Sequence, residues 1–144
     1  LITNDKNDYI NFYNILKINL NKNHSTNPTH TLNEFLEIKE RLNNNSYLFL
    51  VKEDNKILGG VFVIKVTDLC LYTFYISRNI EYNTSAIIFT MYTIYNFARE
   101  NNIKYIDYGI STDNCGKDIN FGLSDYKQNT LGGLPSSRYL FFKK

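Results

Sequence analysis

The hydrophobic period of this chain changes twice, and those changes limit the folds open to it. In the first third the apolar residues recur every three or four positions. Tyr9, Phe12, Tyr13, Leu16 and Leu20 mark one amphipathic helix, and Leu32, Phe35, Leu36 and Leu42 a second. From Tyr47 the pattern shortens to that of strands. Residues 47–52, 57–66 and 69–76, parted by turns at 54–56 and 67–68, predict an antiparallel meander. Helical spacing returns over residues 85–101, with Ile87, Met91, Ile94 and Ala98 on one face and Ile88, Tyr92 and Tyr95 adjoining; so wide a stripe predicts a helix packed on a sheet. Residues 105–109 predict a fourth, central strand and residues 123–131 a brief helix stopped by Gly132-Gly133. Residues 137–142 predict a last strand.

The expected order is therefore α-α-β-β-β-α-β-α-β, an α/β (α+β) arrangement. A strand–helix–strand step following a meander gives a mixed, mostly antiparallel sheet with one right-handed crossover and helices on both faces. Ligands on such sheets favour the crevice at the carboxyl ends of the strands flanking the crossover, here residues 75–79 and 107–112. Two local signals sharpen this frame. Thr31-Leu32-Asn33-Glu34 has the spacing of a capping box, with His30 just before it. Gly59-Gly60 inside a strand marks a bulge or a close backbone approach.

Composition excludes more than it proposes. Hydrophobic residues make up 43% and charged residues 21% of 144, a globular balance and ample length for one domain with a real core. A net charge of +2 with scattered lysines offers no basic stripe for nucleic acid. The excess of Asn, Ile, Lys and Tyr reads as codon bias, so each Asn is discounted as a ligand. Cys70 and Cys115 make no disulfide framework, and no signal peptide or membrane-length apolar run is visible, so a cytoplasmic location is expected. No set of His, Cys or acidic residues has metal-ligand spacing, so no metal is expected. The start at Leu1 suggests a fragment of a longer chain.

Four segments resemble one family in the order in which that family carries them. These are Pro28-Thr29-His30-Thr31-Leu32, Phe74-Tyr75-Ile76-Ser77, the run Ile106-Asp107-Tyr108-Gly109-Ile110-Ser111-Thr112, and Asn120-Phe121-Gly122-Leu123 with Lys127 and Leu131-Gly132-Gly133. Together they resemble the FemAB-like branch of the GCN5-related N-acetyltransferase (GNAT) superfamily, over residues 9–142. The resemblance implies a GNAT fold and a single unit, residues 1–144, forming the carboxyl-terminal half of a two-unit protein with a similar domain upstream. It also implies transfer of an acetyl or aminoacyl group to an amine, as in surface-polysaccharide or peptidoglycan assembly. The family's Phe before Gly-Gly is Leu131 here and its strand Phe is Tyr108. Residues 77–84 contain no glycine, whereas acetyl-CoA enzymes place a glycine-rich, phosphate-cradling turn at that position.

Acyl transfer to an amine needs a polarised carbonyl and a proton acceptor. Main-chain N–H groups where strands splay, near residues 73–76, can supply the first. Asp107, the one acid in residues 105–110, is a candidate base or else a former of the turn after it. Ser111 and Thr112 can bind substrate or satisfy that turn. Lys127 can steady an anionic leaving group or stand in solvent. Arg78 can hold a phosphate in place of the missing glycines. Tyr75, Tyr108, Gly132 and Gly133 complete the expected substrate-binding set, and His30 reads as a staple against Phe35 rather than a catalytic group. Three functions follow: acetyl-CoA-dependent acetylation of an amino sugar, FemX-like aminoacyl transfer from tRNA, or a non-catalytic half that completes a partner domain's cleft.

Overall fold

A computed structural model describes residues 1–82 and 85–136, without the side chain of Cys115. Their elements run β1 (Ile2–Thr3), α1 (Lys6–His24), α2 (Leu32–Leu42), β2 (Ser46–Glu53), β3 (Lys56–Thr67), β4 (Cys70–Arg78), α3 (Ala86–Glu100), β5 (Tyr105–Asp107), β6 (Thr112–Asp113), β7 (Asp118–Ile119) and α4 (Phe121–Asp125). The expected helices and first four strands are all present. Two features were not foreseen: β1, which pairs with β2, and the two-residue hairpin of β6 and β7. The last helix begins at Phe121 rather than Leu123, because Asn120 Oδ1 caps it by accepting Leu123 N–H at 2.9 Å. It runs on as a π-turn, Tyr126–Thr130. The strand expected at residues 137–142 lies outside the described residues.

The chain packs as two compact units, Leu1–Gly109 and Ile110–Lys144. The first holds a five-stranded sheet ordered β1-β2-β3-β4-β5, antiparallel except for the parallel pairing of β4 with β5. Strand β5 thus stands at the end of the order among the described residues, not at its centre. Strand alternation sends Leu48, Leu50 and Phe62 to the face covered by α1 and α2, where they join Tyr9, Phe12, Tyr13 and Phe35. Tyr47 and Phe49 point the other way, onto Phe97 of α3, at 4.9 and 5.4 Å between ring centroids. Helices therefore cover both faces. The buried stripe of α3 is narrower than its sequence suggests: Ala86, Ile87, Thr90, Met91, Ile94 and Ala98 are buried, while Ile88, Phe89 and Tyr92 are more than half exposed.

Phe35 is the hub of the first face. Fully buried, its ring lies 5.0–6.4 Å from those of Tyr9, Phe12, Tyr13, Phe62 and Tyr75, joining α1 and α2 to two strands. The capping box that presents it is complete. Thr31 Oγ1 accepts Glu34 N–H at 3.3 Å and Glu34 Oε2 accepts Thr31 N–H at 2.7 Å. The glycine pair lies beside a bulge at Leu58 and permits close approach on both faces. A Cβ on Gly59 would stand 3.0 Å from Ala86 Cβ of α3, and one on Gly60 2.6 Å from the Phe49 carbonyl oxygen.

Removing the hub ring opens a cavity that five neighbours cannot fill by small shifts. Phe35→Ala is expected to cost about 3–5 kcal/mol in urea unfolding, with the native sheet signal retained at low denaturant. Tyr9, also fully buried, carries a hydroxyl with no hydrogen-bond partner among the described residues. Burial pushes its pKa up to about 12; Ser46 alongside opposes this slightly, but the pair falls outside hydrogen-bonding geometry. The folded chain keeps this proton above pH 10, where the unfolded chain releases it. Its contribution is thus intact below about pH 10 and lost as pH rises towards about 12. Tyr9→Phe should remove that alkaline loss and cost little stability near neutrality, as urea titrations at both pH values would read.

Candidate functional site

The crossover joins β4 to β5 over a short stretch only. Strands β4 and β5 pair over only three residues, Cys70↔Tyr105, Leu71↔Ile106 and Tyr72↔Asp107. Past Tyr72 the remaining length of β4 has β3 on one side and no strand on the other, among the described residues. The register against β3 slips at the same place: Phe62 faces Tyr75 while Val63 faces Thr73, so Phe74 is an extra, bulged residue. The bulge places Phe74 and Tyr75 in succession on the α1/α2 face, where both pack against the aromatic core. Thr73 is buried, and its hydroxyl donates to the Asp107 carbonyl at 3.2 Å, fixing the last point at which the two strands touch.

Four of the expected site residues lie in this first unit. Tyr75 is half-buried; its hydroxyl stands 2.9 Å from His30 Nδ1 and accepts His30 N–H at 3.3 Å. Burial raises its pKa, against smaller opposing contributions from His30 and Thr29. Arg78 ends β4 with an exposed side chain that makes no ion pair among the described residues. Asp107 Oδ1 accepts Gly109 N–H at 2.7 Å, with Gly109 at φ +73° beneath the Tyr72 ring. Of the two roles open in the sequence, base or turn former, this hydrogen bond realises the second. The Tyr108 hydroxyl meets that of Tyr95 on α3 at 2.5 Å; burial raises the Tyr108 pKa, and the Tyr95 contact adds to the rise.

The other five lie in the second unit. Ser111 gives its carbonyl to Asn120 N–H at 3.0 Å and Thr112 pairs with Ile119, so both belong to the backbone of the small hairpin rather than to a free turn. Lys127 Nζ donates to the Ile110 carbonyl at 2.6 Å. Gly133 N–H reaches back to the Lys127 carbonyl at 2.8 Å across Gly132, whose φ of +68° stops the π-turn. A Cβ on Gly132 would meet no atom of the described residues within 4 Å, and the left-handed backbone calls for glycine there.

Sequence reasoning missed the His30–Tyr75 contact. His30 packs on Phe74 at 5.5 Å and Tyr75 at 6.1 Å between ring centroids, both on β4, rather than stapling onto Phe35. The one available signal was the unbroken run Phe74-Tyr75-Ile76, in which a strand of strict alternation would put a polar residue. A surface cavity of about 610 Å³ beside the end of α2, lined by Asn4, Lys39, Glu40, Asn43, Asn44, Ser46 and Tyr47, gathers none of the expected site residues. No group of three or more metal-ligating side chains occurs among the described residues, and no helix there is long and apolar enough to cross a membrane.

No family model matches this chain, and no curated protein matches it in sequence. Solved structures do match in fold. An aminoglycoside acetyltransferase from an uncultured soil metagenomic sample, in complex with sisomicin, superposes with a TM-score of 0.63 at 14% identity, over 100% of this chain and 95% of that one. A predicted acetyltransferase from Clostridium acetobutylicum, solved with acetyl-CoA, gives 0.62 at 16% identity over 99% and 96%. A ribosomal-protein-alanine N-acetyltransferase from Brucella melitensis biovar Abortus 2308 gives 0.63 at 10% identity over 100% and 97%. The fold is therefore that of the GNAT acetyltransferases, as the resemblance of the four segments implied.

The geometry of Asp107 makes its structural part measurable. Asp107→Ala should cost about 1–3 kcal/mol, the worth of a charge-assisted hydrogen bond. Asp107→Asn, which keeps an acceptor for Gly109 N–H, should recover more than half of that loss in the same urea titration.

Proposed function

We propose that this chain transfers an acetyl group from acetyl-CoA to a primary amine of a small polar acceptor, an amino sugar of a surface-glycan precursor. The observation that carries the reading is the open, bulged edge of β4 beyond Tyr72. It occurs in a fold shared end to end with structures holding acetyl-CoA and an aminoglycoside. Unpaired main-chain N–H groups on such an edge are preorganised donors for a thioester oxygen that gains negative charge as the amine attacks.

The donor side has a chemical basis without glycines. Arg78 offers a cation that makes no ion pair among the described residues, and it stands at the end of β4, ahead of the amino-terminal end of α3 and its helix dipole. Both suit a pyrophosphate. Asp107 and Lys127, each bound to a main-chain group, shape the backbone at the end of β5 and in the second unit respectively. The motifs from Asp107 to Gly133 support a narrower version of the reading. In it the chain is the carboxyl-terminal unit of a FemAB-like cytoplasmic protein with a second unit upstream.

Isothermal titration with acetyl-CoA tests the donor. Micromolar binding is expected, weakened roughly tenfold by Arg78→Ala, the equivalent of about 1.4 kcal/mol. A flat titration, with aminoacyl-tRNA retained by the protein on a filter, would overturn the reading in favour of aminoacyl transfer.

A further inference from the structure

We infer that Tyr75 and His30 form a proton relay that takes the proton from the acceptor amine, an inference that rests on the acetyl-transfer reading above. Three geometric facts support it. Tyr75 follows the bulged Phe74, on the stretch of β4 whose outer edge is open, so its hydroxyl stands on the α1/α2 side of the proposed reacting edge. That hydroxyl is 2.9 Å from His30 Nδ1. It also accepts the His30 main-chain N–H at 3.3 Å, which occupies one lone pair, and the relay assigns the phenolic hydrogen to Nδ1. The imidazole then carries its own hydrogen on Nε2, and Nε2 has no hydrogen-bond partner among the described residues.

Each partner suits its part. Burial keeps Tyr75 protonated, so it passes a proton on rather than acting as a phenolate base. Imidazole is the side chain that ordinarily changes charge between pH 5 and 8. The ionisable or polar groups around His30 are Tyr13, whose hydroxyl donates to the His30 carbonyl at 2.8 Å, Tyr75 from β4, Thr29 beside it, and Glu34 of α2, whose carboxylate feels the His30 charge. Glu34 is already held by the Thr31 main-chain N–H and hydroxyl, so its carboxylate takes no part in the relay.

The step balances. An ammonium proton of the acceptor moves to Tyr75 Oη as the phenolic hydrogen moves to His30 Nδ1, giving a free amine and an imidazolium. The amine nitrogen forms a C–N bond with the thioester carbonyl carbon, the C–S bond breaks, and the leaving thiolate takes the second amine proton. The imidazolium then returns its proton to water.

The test pairs turnover with a readout that needs none. Acetyl-CoA and glucosamine, with sisomicin as a second acceptor, are turned over by wild type, His30→Gln and Tyr75→Phe while thiol release is followed from pH 5.5 to 9. Both variants are expected to lose on the order of 10²-fold in kcat/KM and to lose the acid limb of the profile, while binding acetyl-CoA as wild type does. His24→Asn, an exposed control at the end of α1, should change neither. Imidazole ¹⁵N NMR should show His30 as the Nε2–H tautomer, and Tyr75→Phe should shift its titration while leaving that of His24 alone. His30→Gln within threefold of wild type with the same acid limb, or His30 resonances indifferent to Tyr75→Phe, would overturn the relay and leave acetyl transfer standing. A wild-type chain that binds no acetyl-CoA would instead overturn the function, and the relay with it.

Discussion

The structure depends first on a single aromatic contact set, the packing of the Phe35 ring against five others. Phe35 is the first deeply buried residue of α2, so its position sets where that helix begins to touch the sheet. Through Tyr9, Phe12 and Tyr13 it holds α1, and through Phe62 and Tyr75 it holds β3 and β4. Edge-on ring pairs are directional as well as apolar, so they fix orientation along with distance. Tyr75 belongs both to this core and to the open strand edge. The candidate site is therefore built on the core rather than hung from a loop.

That dual membership explains why the α1–α2 side is well determined. His30 precedes the capping box by one residue, and the box fixes the backbone direction into α2. Tyr13 then ties the His30 carbonyl, while Tyr75 takes both its main-chain N–H and its ring nitrogen. A residue engaged at three points loses little further freedom when a ligand arrives, which is what a reacting group requires. The opposite side differs. Residues 77–82 are ordered by Asn79, which bonds Ile57, Leu58 and Glu81, yet Arg78 itself extends into solvent.

Much of this was legible in the residues. The capping box, the meander, the long helix and the crossover all follow from period and local hydrogen-bonding chemistry, which act over a few residues. The Gly59-Gly60 pair announced close approach, and both faces proved crowded there. What escaped depends on partners distant in sequence. Strand β1 has two residues, too few for a period, and exists because β2 offers it an edge. The exposed side of α3 could not be told from its buried side, since Ile88 and Ile87 look alike in a list of residues. His30 and Tyr75 are 45 positions apart, so only the folded chain shows that they meet. Asp107 stood open in the sequence as a base or as a former of the turn after it, and its bond to Gly109 N–H is the contact that the second role requires.

The bulge at Phe74 has a consequence for how such a chain can change over generations. It absorbs one residue of parity, so the half of β4 aligned with β5 and the half bearing Tyr75 and Ser77 need not keep a common count. Deleting the bulged residue would close the ladder without moving either half, since Thr73 would still face Val63 and Tyr75 would still face Phe62, each on its present side of the sheet. A strand interrupted in this way is two inheritable modules joined by a single joint: one is answerable to the crossover, the other to whatever the open edge accommodates.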